Sequence, residues 1–266
     1  MDSSILQIAL QAVQNDQRYA FATVVESTQK GTPQKAGAKM LVLEDGSLYG
    51  TIGGGRYEKS AQEECLKAIQ SGKSKLVTYD YFGKKGQSIC GGQIKVFIEP
   101  SPRKTKLIIC GGGHIGLQLS FLGKVLNYQV TLIDNRKDFA CKKRFSHVDK
   151  VVYGEYLSRI NAQKIDQNTA IVIVTQGNEF DFKCLKTVIE SKAGYIGCIS
   201  SHTKKVKFIE RLRKAKVSQE RINRVKIPAG IDLGGQTPAE ISVSIASEII
   251  QTMNQAYLGR TKFKNK

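Results

Sequence analysis

KLIICGGGHIGLQLSFLGKVLNYQVTLID, residues 106–134, decides how the chain folds. Its opening run, Leu107-Ile108-Ile109-Cys110, has no polar break and reads as a buried strand. Gly111-Gly112-Gly113-His114-Ile115-Gly116 follows at once and satisfies G-x-G-x-x-G. Leu117, Leu119, Phe121, Leu122, Val125 and Leu126 then recur at helical spacing, so the glycines lie between a strand and a helix. In that setting Gly111 permits a tight turn, Gly113 lets a pyrophosphate approach the backbone, and Gly116 lets helix and strand pack closely. The helix N-terminus faces the anion. A second strand, Gln129-Val130-Thr131-Leu132-Ile133, delivers Asp134, an acid placed to bind ribose hydroxyls. Triplet, strands, helix and terminal acid agree on a Rossmann-like unit; glycines that merely shape a turn are the plainer alternative.

The rest of the 266 residues leaves room for a second domain. Residues 101–105, Ser101-Pro102-Arg103-Lys104-Thr105, are polar and carry a proline, so they read as a linker. This places an N-terminal α/β domain at 1–100, a Rossmann-like doubly wound parallel-sheet domain at 106–258 and a basic tail at 259–266. No apolar run approaches a membrane span, and Met1-Asp2-Ser3-Ser4 is not followed by a signal-type core, so the expected location is cytoplasmic with no membrane partner.

The formal charge of +18 suits nucleic acid, an acidic partner, or a lysine-rich proteome without functional content. The lysines read as spread through both halves and no aromatic-basic stacking array occurs, which argues against nucleic acid. Six cysteines without a C-x-x-C pair argue against a zinc cage or a disulfide framework. Cys90 stands apart, because it precedes Gly91 and Gly92 at a loop-to-strand junction where backbone bulk is minimal. A thiol so placed can coordinate a soft metal or carry sulfur.

In the first half, apolar spacing from Ile5 to Val13 predicts a helix, and residues 19–25 a strand. Residues 40–43 and 47–50 flank an Asp45-Gly46 turn and read as a hairpin. Gly53, Gly54 and Gly55 precede a second helix with Arg56 and Glu58 in its first turn, giving either an anion-binding nest or a plain connection. Beyond the glycine-rich stretch, Arg136 is either a phosphate contact or a solvated surface residue. Residues 170–174 and 194–199 read as strands, 175–181 as a polar loop at the ligand edge, and Thr237-Pro238-Ala239-Glu240 as a capping box.

These segments together resemble the XdhC/CoxI family of accessory proteins of molybdenum hydroxylases. The resemblance spans nearly the whole chain. It rests on Gly31-Thr32-Pro33, on residues 50–55 with Glu58, on Cys90-Gly91-Gly92, on Gly111 to Gly116 with His114, on Asp134 and Arg136, on Tyr195-Ile196-Gly197, and on residues 228–240. It implies a protein that binds molybdenum cofactor (molybdopterin), guards it while its terminal sulfur is installed, and hands it to an apo molybdenum hydroxylase of the xanthine dehydrogenase type. The implied cofactor-binding residues are Gly53, Gly54, Gly55, Glu58, Cys90, Gly91, Gly92, Gly111, Gly113, His114, Gly116, Asp134 and Arg136, with Cys90 as the contact to molybdenum or sulfur. A cysteine desulfurase and a second copy of the chain are further partners that the resemblance leaves open. The chain departs from the family pattern at Arg56, often cysteine, at Gln176 and Asn178, often histidine or arginine, and at Ser200-Ser201-His202, often glycine-serine-arginine.

No Ser-His-Asp order with local context and no H-E-x-x-H occurs, which suits a chaperone without turnover. The alternatives are an NAD(P)-binding oxidoreductase, where Asp134 favours NAD and Arg136 would help with NADP, and a purely structural scaffold. Of the three histidines, His114 has either a ligand or a helix-start role, while His147 and His202 read as surface residues.

Overall fold

The computed structural model describes residues 3–15, 17–28, 34–80, 92–102 and 104–254. The chain divides between Arg103 and Lys104 into two compact units, each built on its own sheet.

The first unit runs α1 (Ser3–Gln14), β1 (Tyr19–Ser27), β2 (Lys39–Leu43), β3 (Leu48–Gly50), α2 (Gly55–Ser71), β4 (Lys75–Asp80) and β5 (Gln93–Pro100). Its antiparallel sheet has the order β3-β2-β1-β5-β4. Strand β2 is apolar on both faces and shows why two helices are needed. Met40 and Val42 pack with Ala61, Cys65, Ala68 and Ile69 of α2, whereas Leu41 and Leu43 pack with Ile5, Ala9 and Ala12 of α1.

The second unit runs β6 (Lys106–Cys110), α3 (His114–Val125), β7 (Gln129–Asp134), β8 (Lys150–Tyr153), α4 (Tyr156–Asn161), β9 (Thr169–Ile173), α5 (Asn178–Val188), β10 (Tyr195–Cys198), α6 (His202–Lys214), α7 (Gln219–Asn223), β11 (Val225–Lys226) and α8 (Pro238–Met253). Every strand pair is parallel and the order is β11-β10-β9-β6-β7-β8, the doubly wound sheet expected. Leu107 and Ile109 of β6 face α3 and α8; Ile108 and Cys110 face α4, α5 and α6. Burying a side chain of this size contributes roughly 1.5–3 kcal/mol, so both faces must be covered. Thr237 and Glu240 form the capping box of α8, with Pro238 in its first turn. The chain leaves β6 towards β7 on one side and reaches β9 on the other. That reversal opens a crevice at the carboxyl ends of β6 and β9.

Two readings are corrected. Residues 178–181 belong to helix α5, because Phe182, Cys184, Leu185 and Val188 bury one face at helical spacing and Gly177 ends the loop. The charge is also uneven. Of 41 basic and 23 acidic residues, 13 and 10 fall in Met1–Arg103, leaving 28 and 13 in the remainder, or +3 against +15.

Candidate functional site

The crevice is lined first by the glycine loop, and its glycines have separate physical reasons. Gly111 adopts φ +120°, and a Cβ there would lie 2.2 Å from the Val174 carbonyl oxygen. A Cβ on Gly116 would lie 1.9 Å from the Gly111 oxygen, so helix and strand close to a distance that only glycine allows. Gly113 differs: its φ is −68° and a Cβ would meet nothing within 4 Å. Nothing in the fold requires glycine there, and the open space is where a ligand can reach the backbone. Gly113 caps α3 without any side-chain acceptor on the first amides, which leaves the positive end of the helix available to an anion. His114, the first residue of α3, is exposed beside it.

Asp134 is fully buried and already saturated. Its Oδ2 accepts the Gly112 N–H at 2.7 Å and Arg136 Nη2 at 2.8 Å; its Oδ1 accepts the Arg136 N–H at 2.8 Å and Arg136 Nε at 2.9 Å. Burial alone would raise the carboxyl pKa, but the Arg136 guanidinium and the two backbone donors outweigh it and hold it below the ordinary value. The same pairing raises the Arg136 pKa. Asp134 thus braces the glycine loop to the end of β7, and all four acceptor positions are taken. Arg136 lies 3.6 Å from the centroid of Phe139, and the Phe139 carbonyl closes over Gly112, where a Cβ would lie 2.7 Å away.

Across the crevice, the loop after β9 is held by Asp181, which sequence reasoning missed. This buried carboxylate accepts the Thr175 N–H at 3.0 Å and pairs with Lys204 of α6 at 2.6 Å. Only its place one turn into an unrecognised helix marked it. Gln176 reaches back to Asn135 at 3.1 Å, joining the loops after β9 and β7.

In the first unit, the nest before α2 is filled by the chain itself. Glu58 Oε2 accepts the N–H groups of Ile52 at 3.2 Å and Gly54 at 3.1 Å, and the Thr51 hydroxyl as well. Gly53, Gly54 and Gly55 all have positive φ, which presents these amides inward. Arg56 donates to the Tyr57 hydroxyl at 2.7 Å. Gly92 is buried at the start of β5, whereas Cys90 and Gly91 lie outside the described residues, as does Gly31-Thr32-Pro33. Among the described residues no group of three or more His, Cys, Asp or Glu side chains could hold a metal ion.

His147 is not a free surface residue. Its ring stacks on Phe121 at 3.7 Å, and Nε2 lies 2.8 Å from Ser120 Oγ. The Ser120 hydroxyl also lies 2.7 Å from the Leu117 carbonyl, so it bridges the imidazole and the α3 backbone. Burial, helped by Lys124, lowers the imidazole pKa. His202 opens α6, capped by the Ser201 side chain.

With this geometry in place, known proteins supply the context. The XdhC Rossmann domain matches residues 107–249, and the XdhC and CoxI family matches residues 12–80. The chain belongs to the XdhC/CoxI family. Within reach of this XdhC/CoxI chain, the uncharacterized protein YqeB of Escherichia coli is 30% identical over 243 residues, covering 90% of this chain and 44% of that protein. The chain therefore spans less than half the length of that relative. The molybdenum cofactor insertion chaperone PaoD of Escherichia coli is 21% identical over 286 residues, covering 92% of this chain and 87% of PaoD. A crystal structure described as a xanthine dehydrogenase from Bacillus halodurans shares the fold, with a TM-score of 0.52 at 19% identity over 97% of this chain and 98% of that one. No helix among the described residues of this XdhC/CoxI chain is long and apolar enough to cross a membrane.

Proposed function

We propose that this chain binds molybdenum cofactor as cargo, shields it while its terminal sulfur is installed, and delivers it to an apo molybdenum hydroxylase of the xanthine dehydrogenase type. The observation that carries this reading is the likeness to a molybdenum cofactor insertion chaperone across 92% of this chain and 87% of that relative, which takes in both units. The geometry supports it. The cargo ends in a phosphate, and the uncapped start of α3 beside the open face of Gly113 suits that group. Its metal favours sulfur, and Cys90 is the thiol we assign to it. A cysteine desulfurase is the class of enzyme that would supply the sulfur, and the cytoplasm is where such a transfer belongs.

The test is calorimetric titration of the purified protein with molybdenum cofactor, together with activation of an apo-hydroxylase. Gly113→Leu fits the open space, so it should keep the fold, lose cofactor binding and lose activation. Binding and activation at the wild-type level in that variant would end the reading. The strand order β8-β7-β6-β9-β10-β11 favours a second one, an NAD(P)-binding oxidoreductase. Binding of a nicotinamide cofactor without any binding of the pterin would put it first.

A further inference from the structure

The segment between β7 and β8 carries Arg136, Lys137, Lys142, Lys143 and Arg144 against one acid, Asp138, before Phe145 enters the core. It is not a loose loop. The Phe139 and Ala140 N–H groups return to the Arg136 carbonyl at 3.1 and 2.9 Å, and the Phe145 N–H to that of Cys141 at 3.1 Å. Phe145 is 1% exposed and packs within 3.3 Å of the position of a Gly112 Cβ. The segment is thereby fixed against the glycine loop.

Arg136 is committed to Asp134, but the other cations of the segment are left over once the fold is satisfied. Arg136 and Arg144 both lie over the Phe139 ring, at 3.6 and 5.3 Å from its centroid. Among the described residues no carboxylate pairs with Lys137, Lys142, Lys143 or Arg144. The buried Arg144 Nε has no hydrogen-bond partner, a cost in a folded protein unless a ligand supplies the acceptor. Arg136 already gives Nε and Nη2 to Asp134, so Arg144, held beside the same ring, is the guanidinium of the segment that suits phosphate oxygens. Asp134, meanwhile, has no acceptor position left for a ribose diol.

We infer that the β7–β8 segment is a phosphate clamp, and that the second unit selects ligands carrying a phosphomonoester at this end of the crevice over ligands that offer only a ribose diol. This rests on the crevice being the ligand site. The phosphomonoester has two sources, the terminal phosphate of a molybdopterin or the 2′-phosphate of an adenine dinucleotide, and both present the same doubly charged group to the clamp.

The full-length protein is titrated with NADP and NAD, and in a second arm with molybdopterin before and after removal of its phosphate by a phosphatase. The two arms separate the sources. In at least one arm the phosphorylated ligand should bind about tenfold or more tighter than its counterpart, the effect of one to two charge-assisted hydrogen bonds. That preference should collapse in Arg144→Ala and also in Lys142→Ala/Lys143→Ala, whose side chains are exposed and whose loss spares the core. Gly113→Leu separates the two levels of the argument: loss of all binding there with an intact clamp preference in the wild type supports both. A wild type that binds the paired ligands equally overturns the clamp while leaving the crevice in place. So does a preference unchanged in both clamp variants. No binding of any of the four ligands overturns both.

Discussion

Asp134 and Arg136 form a two-pronged ion pair two residues apart in sequence, with the Asp134 side chain fully buried and the Arg136 side chain 32% exposed. The carboxylate also holds the Gly112 amide, so one side chain ties the end of β7 to the loop after β6. Removing the cation leaves a buried charge with only backbone donors. Arg136→Ala should therefore destabilise the second unit by about 3 kcal/mol, at the low end for breaking a buried pair because Arg136 is partly solvated. Urea unfolding followed by far-UV circular dichroism reads this directly.

The same pair sets a pH dependence on the acid side. The Asp134 pKa is lowered in the folded protein, so its contribution is present above the unfolded value near 3.8 and is lost as pH falls through the folded one. Asp134→Asn should flatten the acid limb of the stability curve below about pH 4. A limb of unchanged slope would mean that other carboxylates carry it.

His147 acts at higher pH and with its own sign. Its folded pKa is lowered from 6.5, so the unfolded chain takes up a proton first and stability falls as pH drops below about 6.5. His147→Phe keeps an aromatic ring for Phe121 and cannot titrate. Its urea midpoint should vary less between pH 7 and pH 5 than that of the wild type.

Glu58 makes a contrasting prediction in the first unit. Glu58→Ala removes the acceptor of two backbone amides and should cost about 1–2 kcal/mol, since the group is only partly buried. The emptied nest should then take an external anion. Inorganic phosphate should restore thermal stability to this variant and leave the wild type nearly unchanged; equal response in both would mean that Glu58 does not occupy the nest.

Two glycines of one motif should behave oppositely. Gly116→Ala places a methyl 1.9 Å from the Gly111 oxygen and should cost about 1–3 kcal/mol or more. Gly113→Ala meets open space at an ordinary φ and should leave the unfolding midpoint within about 0.5 kcal/mol of the wild type. Equal losses in the two variants would show that Gly113 is packed as Gly116 is.

The local pattern of the chain determined much of this protein. An unbroken apolar run before Gly111, helical spacing after it and a second strand ending at Asp134 suffice for a Rossmann unit, because burial period and glycine geometry act over a few residues. The capping box at Thr237 was legible for the same reason. Short elements such as α4 and β11 were not, since six or two residues carry no periodicity. What each polar group is doing was decided by the tertiary structure. Asp134 reads as an open acceptor until the fold brings Gly112 against it, across 22 residues. His147 reads as exposed until α3 brings Phe121 and Ser120 to it, the latter across 27. Lys204 finds Asp181 across 23. Sequence specifies where a charged or polar group stands along the backbone, but its partners come from distant segments packed together to bury the apolar faces. A buried donor or acceptor must be satisfied by whatever that packing supplies.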